Sequence, residues 1–203
     1  MRCIHFLVEE PSAEAALRNL LPRLLANRAR FIIINLGSKQ ALLKKLVPRL
    51  RAYADLIQAG EDLRVVVLVD RDNDNCAQLK DRLEQAASDG GLVTKRSAKA
   101  GKPFHIVTRI AVEELESWFL GDPDALRATF PRLPSINTKT APFRNPENGG
   151  SWEALHRFLR KHGYYPGTYQ KIDAARRIAA NLSPDANRTP SFGAFCRGIE
   201  ACT

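Results

Sequence analysis

Runs of aliphatic and β-branched residues alternate along this chain with stretches in which leucine recurs every three or four positions. Those two periods separate strands from helices. Arg2 to Val8 (RCIHFLV) reads as a strand. Ser12 to Ala26 reads as an amphipathic helix, with Ala16, Leu17, Leu20, Leu21, Leu24 and Leu25 on one face. A second strand, Arg30 to Leu36, turns at Gly37, and Ser38 can cap a helix from about Lys39 to Ile57. Arg64 to Val69 shows no polar alternation, which predicts a strand buried on both faces. A helix from about Asn75 to Ala87 closes at Asp89-Gly90-Gly91. Phe104 to Ile110 is a fourth strand, and Ala111 to Leu120 begins another helix. The alternation predicts an α/β fold, a mostly parallel, Rossmann-like sheet of about four strands flanked by helices.

The pattern changes after Gly121. Pro123, Pro131, Pro134, Pro142 and Pro146 interrupt the periodicity, and Asn145 to Ser151 (NPENGGS) is a loop. Helices are expected at Trp152 to His162, Tyr169 to Asn181 and about Ser191 to Glu200. The organisation read from this is an α/β core over residues 1–122, with a basic helical appendage over 123–203 packed on it.

Charge sharpens that division. Of a net charge of +9, residues 127–203 carry +7, from 12 Lys and Arg against 5 Asp and Glu. A basic surface beside an acidic site suits a polyanionic substrate, although a basic face can also serve solubility alone. No apolar run approaches the length of a membrane span, and the chain opens on a strand without a signal layout, so a cytoplasmic protein with no membrane partner is expected. Cys3, Cys76, Cys196 and Cys202 lack metal-type spacing, which argues against zinc; Cys3 and Cys76 are expected to be reduced core thiols.

The chemistry concentrates where apolar strands end in acids. Leu63 to Asn75 (LRVVVLVDRDNDN) runs from a buried strand into Asp70, Asp72 and Asp74. Carboxylates so crowded repel one another unless a cation neutralises them, and hard divalent ions prefer such oxygen ligands. The first strand ends in Glu9-Glu10-Pro11-Ser12. If the first and third strands are neighbours, Glu9 faces Asp70 and Asp72. The fourth strand leads into Glu113-Glu114-Leu115-Glu116, where a helix would put Glu113 and Glu116 on one face and Leu115, Trp118 and Phe119 toward the core. Three strand ends thus bring acids to the edge where open α/β sheets bind ligands. The competing reading is a solvated turn and acids that favour a helix N-terminus.

These residues resemble a known pattern. A strand ending in glutamate (Phe6-Leu7-Val8-Glu9), then a helix, then a strand ending in Asp-x-Asp (Val69-Asp70-Arg71-Asp72) is similar to the Toprim domain of topoisomerases, primases and overcoming-lysogenization-defect nucleases. Ala111 to Asp122 (AVEELESWFLGD) and Asn187 to Phe195 (NRTPSFGAF) resemble the bacterial family called domain of unknown function 4276, regarded as Toprim-like and often encoded beside an ATPase in defence-type clusters. The resemblance implies Glu9 as general acid/base or metal ligand, Asp70 and Asp72 as metal ligands, and Glu116, with Glu113 as runner-up, as the additional acid of nuclease-type members. Two departures, Glu10 where Toprim domains usually carry glycine and Ala13 where an acid often stands, point away from topoisomerase or primase activity.

The resulting expectation is a Mg²⁺- or Mn²⁺-dependent nuclease acting on nucleic acid, in a phage-defence setting with an ATPase partner. Glu9, Asp70, Asp72 and Glu116 would share the ions, with Asp74 and Glu113 as further ligand candidates. Lys171 would stabilise the pentacoordinate phosphate. Arg177 and Arg188 are candidates for backbone binding. His5 and His105 fall in apolar strands as structural histidines, and Trp118 and Trp152 as packing anchors. A calcium loop fails at Asn75 and Asp81, where glycine and glutamate are required. A sugar-nucleotide transferase would leave Glu9 and the basic half unexplained. The remaining alternative is a non-catalytic metal- or nucleic-acid-binding module that docks on an ATPase through Phe158, Tyr164, Tyr165, Phe192 and Phe195.

Overall fold

The computed structural model describes residues 1–203. In chain order the elements are β1 (Cys3–Val8), α1 (Pro11–Leu25), β2 (Arg30–Asn35), α2 (Lys39–Gln58), β3 (Leu63–Asp70) and α3 (Cys76–Asp89). Then come β4 (Ile106–Ala111), α4 (Glu116–Leu120), α5 (Pro123–Thr129), α6 (Ser151–Lys161), α7 (Lys171–Ala179) and α8 (Pro190–Glu200). The strands form one sheet in the order β2-β1-β3-β4, and every neighbouring pair is parallel. All four strands therefore deliver their carboxyl ends to the same edge. Ser38 caps as expected, its Oγ accepting the Ala41 amide at 3.2 Å, and Asn75 Oδ1 caps α3 by accepting the amides of Ala77 and Gln78 at 3.0 and 3.1 Å.

The sheet is covered on both faces, which explains the uninterrupted apolar run of β3. Val65, Val67 and Val69 face α2 and α3, packing with Leu42, Leu46, Leu50, Leu79 and Leu83. Val66 and Leu68 face the other way, with Ile4, Phe6 and Val8 of β1, into a core of 35 buried residues shared with α1 and α4 to α8. The Pro-punctuated half is thus continuous in packing with the sheet. α7 lies along α1, and α8 crosses onto β4.

One predicted element differs. β4 continues through Ala111, and the following helix is confined to Glu116–Leu120, so Glu113 is not helical and does not share a helix face with Glu116. Backbone pairing overrides the helix propensity of Val112-Glu113-Glu114. The Arg71 amide donates to Ala111 O and the Asp72 amide to Glu113 O, both at 2.8 Å, while Glu113 takes the left-handed conformation at φ 66°. Cys76 also departs from expectation: it opens α3 at the surface, away from the core, and all four thiols are free. His5 and His105 are half-buried, His105 just ahead of β4, and burial lowers the pKa of both. Trp118 is fully buried, as an anchor should be.

That anchor ties the chain's end to the sheet. Trp118 Nε1 donates to Ser191 Oγ at 2.8 Å, and its ring lies 5.1 and 4.9 Å from those of Phe192 and Phe195. Asn187 Nδ2 donates to Trp118 O at 2.7 Å, and the Arg188 amide to Gly121 O at 3.0 Å. Asp122 joins in twice, capping α5 at the Ala125 amide and accepting the Ser183 amide. Gly121 has no room for a side chain: a Cβ there would lie 2.6 Å from Asn187 Oδ1 and 2.8 Å from Thr189 Cγ2. Gly121→Ala is therefore expected to destabilise the fold by about 1–3 kcal/mol, the usual cost of overpacking, as measured by urea denaturation. An unchanged midpoint would mean that this junction is looser than described.

Candidate functional site

The parallel register sets the site. Val8 pairs with Leu68, so Glu9 and Asp70 leave adjacent strands at the same edge. Glu9 is 4% exposed and its carboxylate accepts the Asp70 backbone amide. Asp70 is 9% exposed at the end of β3. Glu116, at the first position of α4, is 2% exposed, and its Oε1 is buried without a hydrogen-bond partner. An ionised carboxylate removed from water costs several kcal/mol unless something compensates it. The three sequence-predicted acids with the strongest claim are thus the buried ones.

Their proton affinities follow from that burial. Desolvation pushes Glu9 up to about 7, against the lesser opposing effects of the Asp70 amide and Lys39. Burial does the same to Glu116, also up to about 7, with Lys171 opposing and Glu114 assisting. Asp70 is raised well above the usual carboxylate range by burial first, then by the negative charges of Glu9 and Glu116. Lys171 stands at the start of α7 beside this group. Burial works against its charge, but Glu116, Glu10, Glu114 and Asp70 together hold its pKa above the ordinary lysine value. Its Nζ also lies 5.7 Å from the centre of the half-buried Trp152 ring.

The other predicted acids are placed differently. Asp72 and Asp74 are about half exposed and share Lys39, at 2.6 and 3.0 Å. Asp72 adopts φ 49°, a left-handed conformation that aspartate tolerates better than most residues. Glu113 is ion-paired with Arg71, the residue between Asp70 and Asp72. Glu114 turns away to cap a later helix: its Oε2 accepts Ser151 Oγ and the Trp152 amide, both at 3.2 Å. The two backbone-binding candidates have structural tasks. Arg188 donates to Phe143 O at 2.7 Å, while Arg177 lies over the Phe130 ring and beside Asp173.

Sequence reasoning missed three members of this edge. Lys39 enters because β2 also ends here, and the Gly37-Ser38-Lys39 turn places a cation at the shared edge. Tyr169 packs its hydroxyl, buried and without a good hydrogen bond, near Glu116; burial and then the Glu116 charge raise its pKa well above the ordinary value. Glu10 flanks Glu9 and accepts Ser12 Oγ at 2.9 Å. The only available signal for Tyr169 was its position two residues before Lys171.

The donor set is all oxygen, suited to Mg²⁺ or Mn²⁺ and unsuited to softer metals. No three His, Cys, Asp or Glu side chains are gathered at metal-ligand spacing. The buried Oε1 of Glu116, which has no hydrogen-bond partner although the Tyr169 hydroxyl lies near it, is the feature that fits a hard cation.

Fold and site together define an α/β protein with a parallel sheet and a carboxylate-rich carboxyl edge. The chain belongs to a family described as domain of unknown function (DUF4276), whose model matches residues 8–200. No curated protein and no solved structure matches it significantly. No helix is long and apolar enough to cross a membrane.

The raised carboxylates carry a consequence for stability. From the ordinary value of 4.5 up to about 7, the folded chain binds protons at Glu9 and Glu116 that the unfolded chain has released. Stability contributed by these groups is complete below pH 4.5 and is lost as pH rises through 7. Glu116→Gln should therefore stabilise the protein at pH 8, by on the order of 2–3 kcal/mol, and leave it nearly unchanged at pH 4.5. Urea midpoints across that range test this; equal effects at both pH values would contradict it.

Proposed function

We propose that the protein is a divalent-metal-dependent nuclease that hydrolyses phosphodiester bonds with Mg²⁺ or Mn²⁺ at the carboxyl edge of its sheet. The observation that carries this reading is the joint burial of Glu9, Asp70 and Glu116, three like charges from three strand ends with Lys171 beside them. A structural role would be served better by neutral or apolar side chains, because burying unpaired carboxylates weakens the fold. The Toprim resemblance of the Glu9 and Asp70-x-Asp72 positions points the same way. A defence-type setting with an ATPase partner rests on the family resemblance and belongs to the same proposal.

In this reading Asp70 and Glu116 hold the metal, joined by Glu9, with Asp72 at the rim. When bound, the metal supplies charge neutralisation at the phosphoryl oxygens and lowers the pKa of a water. Glu9, at the end of the strand beside that of Asp70, would accept a proton from the attacking water as its oxygen bonds to phosphorus. The bond to the 3′-oxygen breaks in line, and the leaving oxygen takes its proton from solvent. Lys171 stays protonated and stabilises the charge on the phosphoryl oxygens rather than donating its proton. Tyr169 stays neutral and can donate a hydrogen bond at the same place.

Fewer of the aromatics named for docking are accessible than that alternative requires. Phe192 and Phe195 are fully buried, and Phe158, Tyr164 and Tyr165 pack partly buried against the same core. The exposed large apolar side chains are instead Met1, Ile32, Leu56, Val93 and Ile172.

The test is cleavage of plasmid, single-stranded DNA and RNA with Mn²⁺. The native chain is expected to cut at least one of them. Asp70→Asn and Glu116→Gln should each reduce the rate at least a hundredfold, and Lys171→Ala about tenfold to a hundredfold. Cleavage that persists in Asp70→Asn would contradict the assignment.

A further inference from the structure

Beside the acidic edge, α6 and the segment before it enclose a cleft of about 730 Å³. Its lining includes the more buried, apolar Leu120, Pro142 and Phe158 and the exposed cations Arg144, Arg157 and Lys161. None of these three cations has an ion-pair partner, unlike Arg177, Arg96 or Lys39. One acid, Glu153, lies in the wall. The cleft adjoins the site directly. Gly149 lines it, and a Cβ on Gly149 would stand 3.8 Å from Glu113 Oε2, the carboxylate paired with Arg71 between Asp70 and Asp72. Glu114 fixes the same wall from the other side by capping α6.

We infer that this cleft binds an unpaired nucleotide of a single nucleic-acid strand, with the base on the apolar side chains and the flanking phosphates on Arg144, Arg157 and Lys161. The inference rests on the nuclease reading and gives that site its substrate class. The volume lies in the range of small-ligand pockets and suits one nucleotide with its flanking phosphates; a duplex is far too wide to enter. Apolar side chains beside exposed cations match the two halves of a nucleotide. A base gains from lying against Phe158, and its phosphates gain from cations that no carboxylate neutralises. A strand held this way leads its next phosphate past Gly149 toward Glu113 and the carboxyl edge.

Binding can be measured without catalysis. The probe is a fluorescein-labelled twelve-nucleotide oligo-dT, with oligo-rU, a matched duplex and AMP as competitors, in EDTA so that no cleavage occurs. The native chain is expected to bind the single strands in preference to the duplex, with AMP far weaker. Arg144→Ala/Arg157→Ala/Lys161→Ala should lose at least tenfold in affinity and show a salt dependence shallower by about 2 on a log–log scale. Because binding is read in EDTA, it is scored apart from cleavage: strand binding without any cleavage in Mn²⁺ would fail the nuclease reading alone, and cleavage with native-like binding in the triple variant would fail the cleft alone. A Phe158→Leu variant, which keeps that position apolar, should weaken binding severalfold and guards against misfolding of the triple variant. Native-like affinity in the triple variant, no binding of any strand by the native chain, equal affinity for the duplex, or AMP binding as tightly as the strand would each overturn the inference.

Discussion

Desolvation of carboxylates at the carboxyl edge of the sheet is the constraint around which the rest of the molecule is arranged. Glu9 and Asp70 sit side by side because β1 and β3 are parallel neighbours, and Glu116 reaches them because β4 stops at Ala111 and turns. Burial there weakens the fold at neutral pH, so its retention needs a reason outside folding. The surrounding cations are divided between two roles. Lys39 and Arg71 neutralise the exposed acids Asp72, Asp74 and Glu113, with a lesser effect of Lys39 on Glu9, while Lys171 faces Glu116 and Asp70. The site thus keeps its innermost charges undercompensated.

Holding such a group requires a rigid frame, and the second half of the chain provides it. α4 is a helix of five residues that could not stand alone, yet it carries Glu116. It is fixed by Trp118 against Ser191 and Phe195, by Asn187 at the Trp118 carbonyl, and by the close approach of Gly121 to Asn187 and Thr189. Glu114 meanwhile couples the turn before α4 to the N-terminus of α6. The helices after Gly121 therefore serve the site mechanically, through α4, and chemically, through Lys171 and Tyr169.

Most of the fold was legible because the strands and most helices announced themselves by period and by punctuation; α5 did not, lying where prolines interrupt the periodicity. The uninterrupted Val65 to Val69 run required two covered faces, and Ser38 caps where its position indicated. The misread stretch, Val112 to Leu115, has helix-forming residues but is decided by partners distant in sequence, the Arg71 and Asp72 amides, which local pattern does not contain. At the site, Glu9, Asp70 and Glu116 were legible as strand-end acids. What was hidden is the division among the acids: Asp72 was read as the equal of Asp70, with Asp74 and Glu113 as further candidates, and the positions of Lys39 and Arg71 set these three apart. The role of NRTPSFGAF as the clamp on ESWFLGD was likewise invisible, because both halves are short and apolar contacts carry no register in sequence.

The central claim, that Glu9, Asp70 and Glu116 are kept buried to hold a hard cation, is tested most directly by Mn²⁺ titration calorimetry. The titration is run at pH 6.5 in two buffers of different ionisation enthalpy, with the native chain and Asp70→Asn. Carboxylates that bind protons up to about 7 must release them on taking up the ion. The account predicts saturable binding whose heat differs between buffers by a net release of protons, and loss of both binding and release in Asp70→Asn. Binding without proton release, or binding unchanged in Asp70→Asn, would place the ion elsewhere and contradict it.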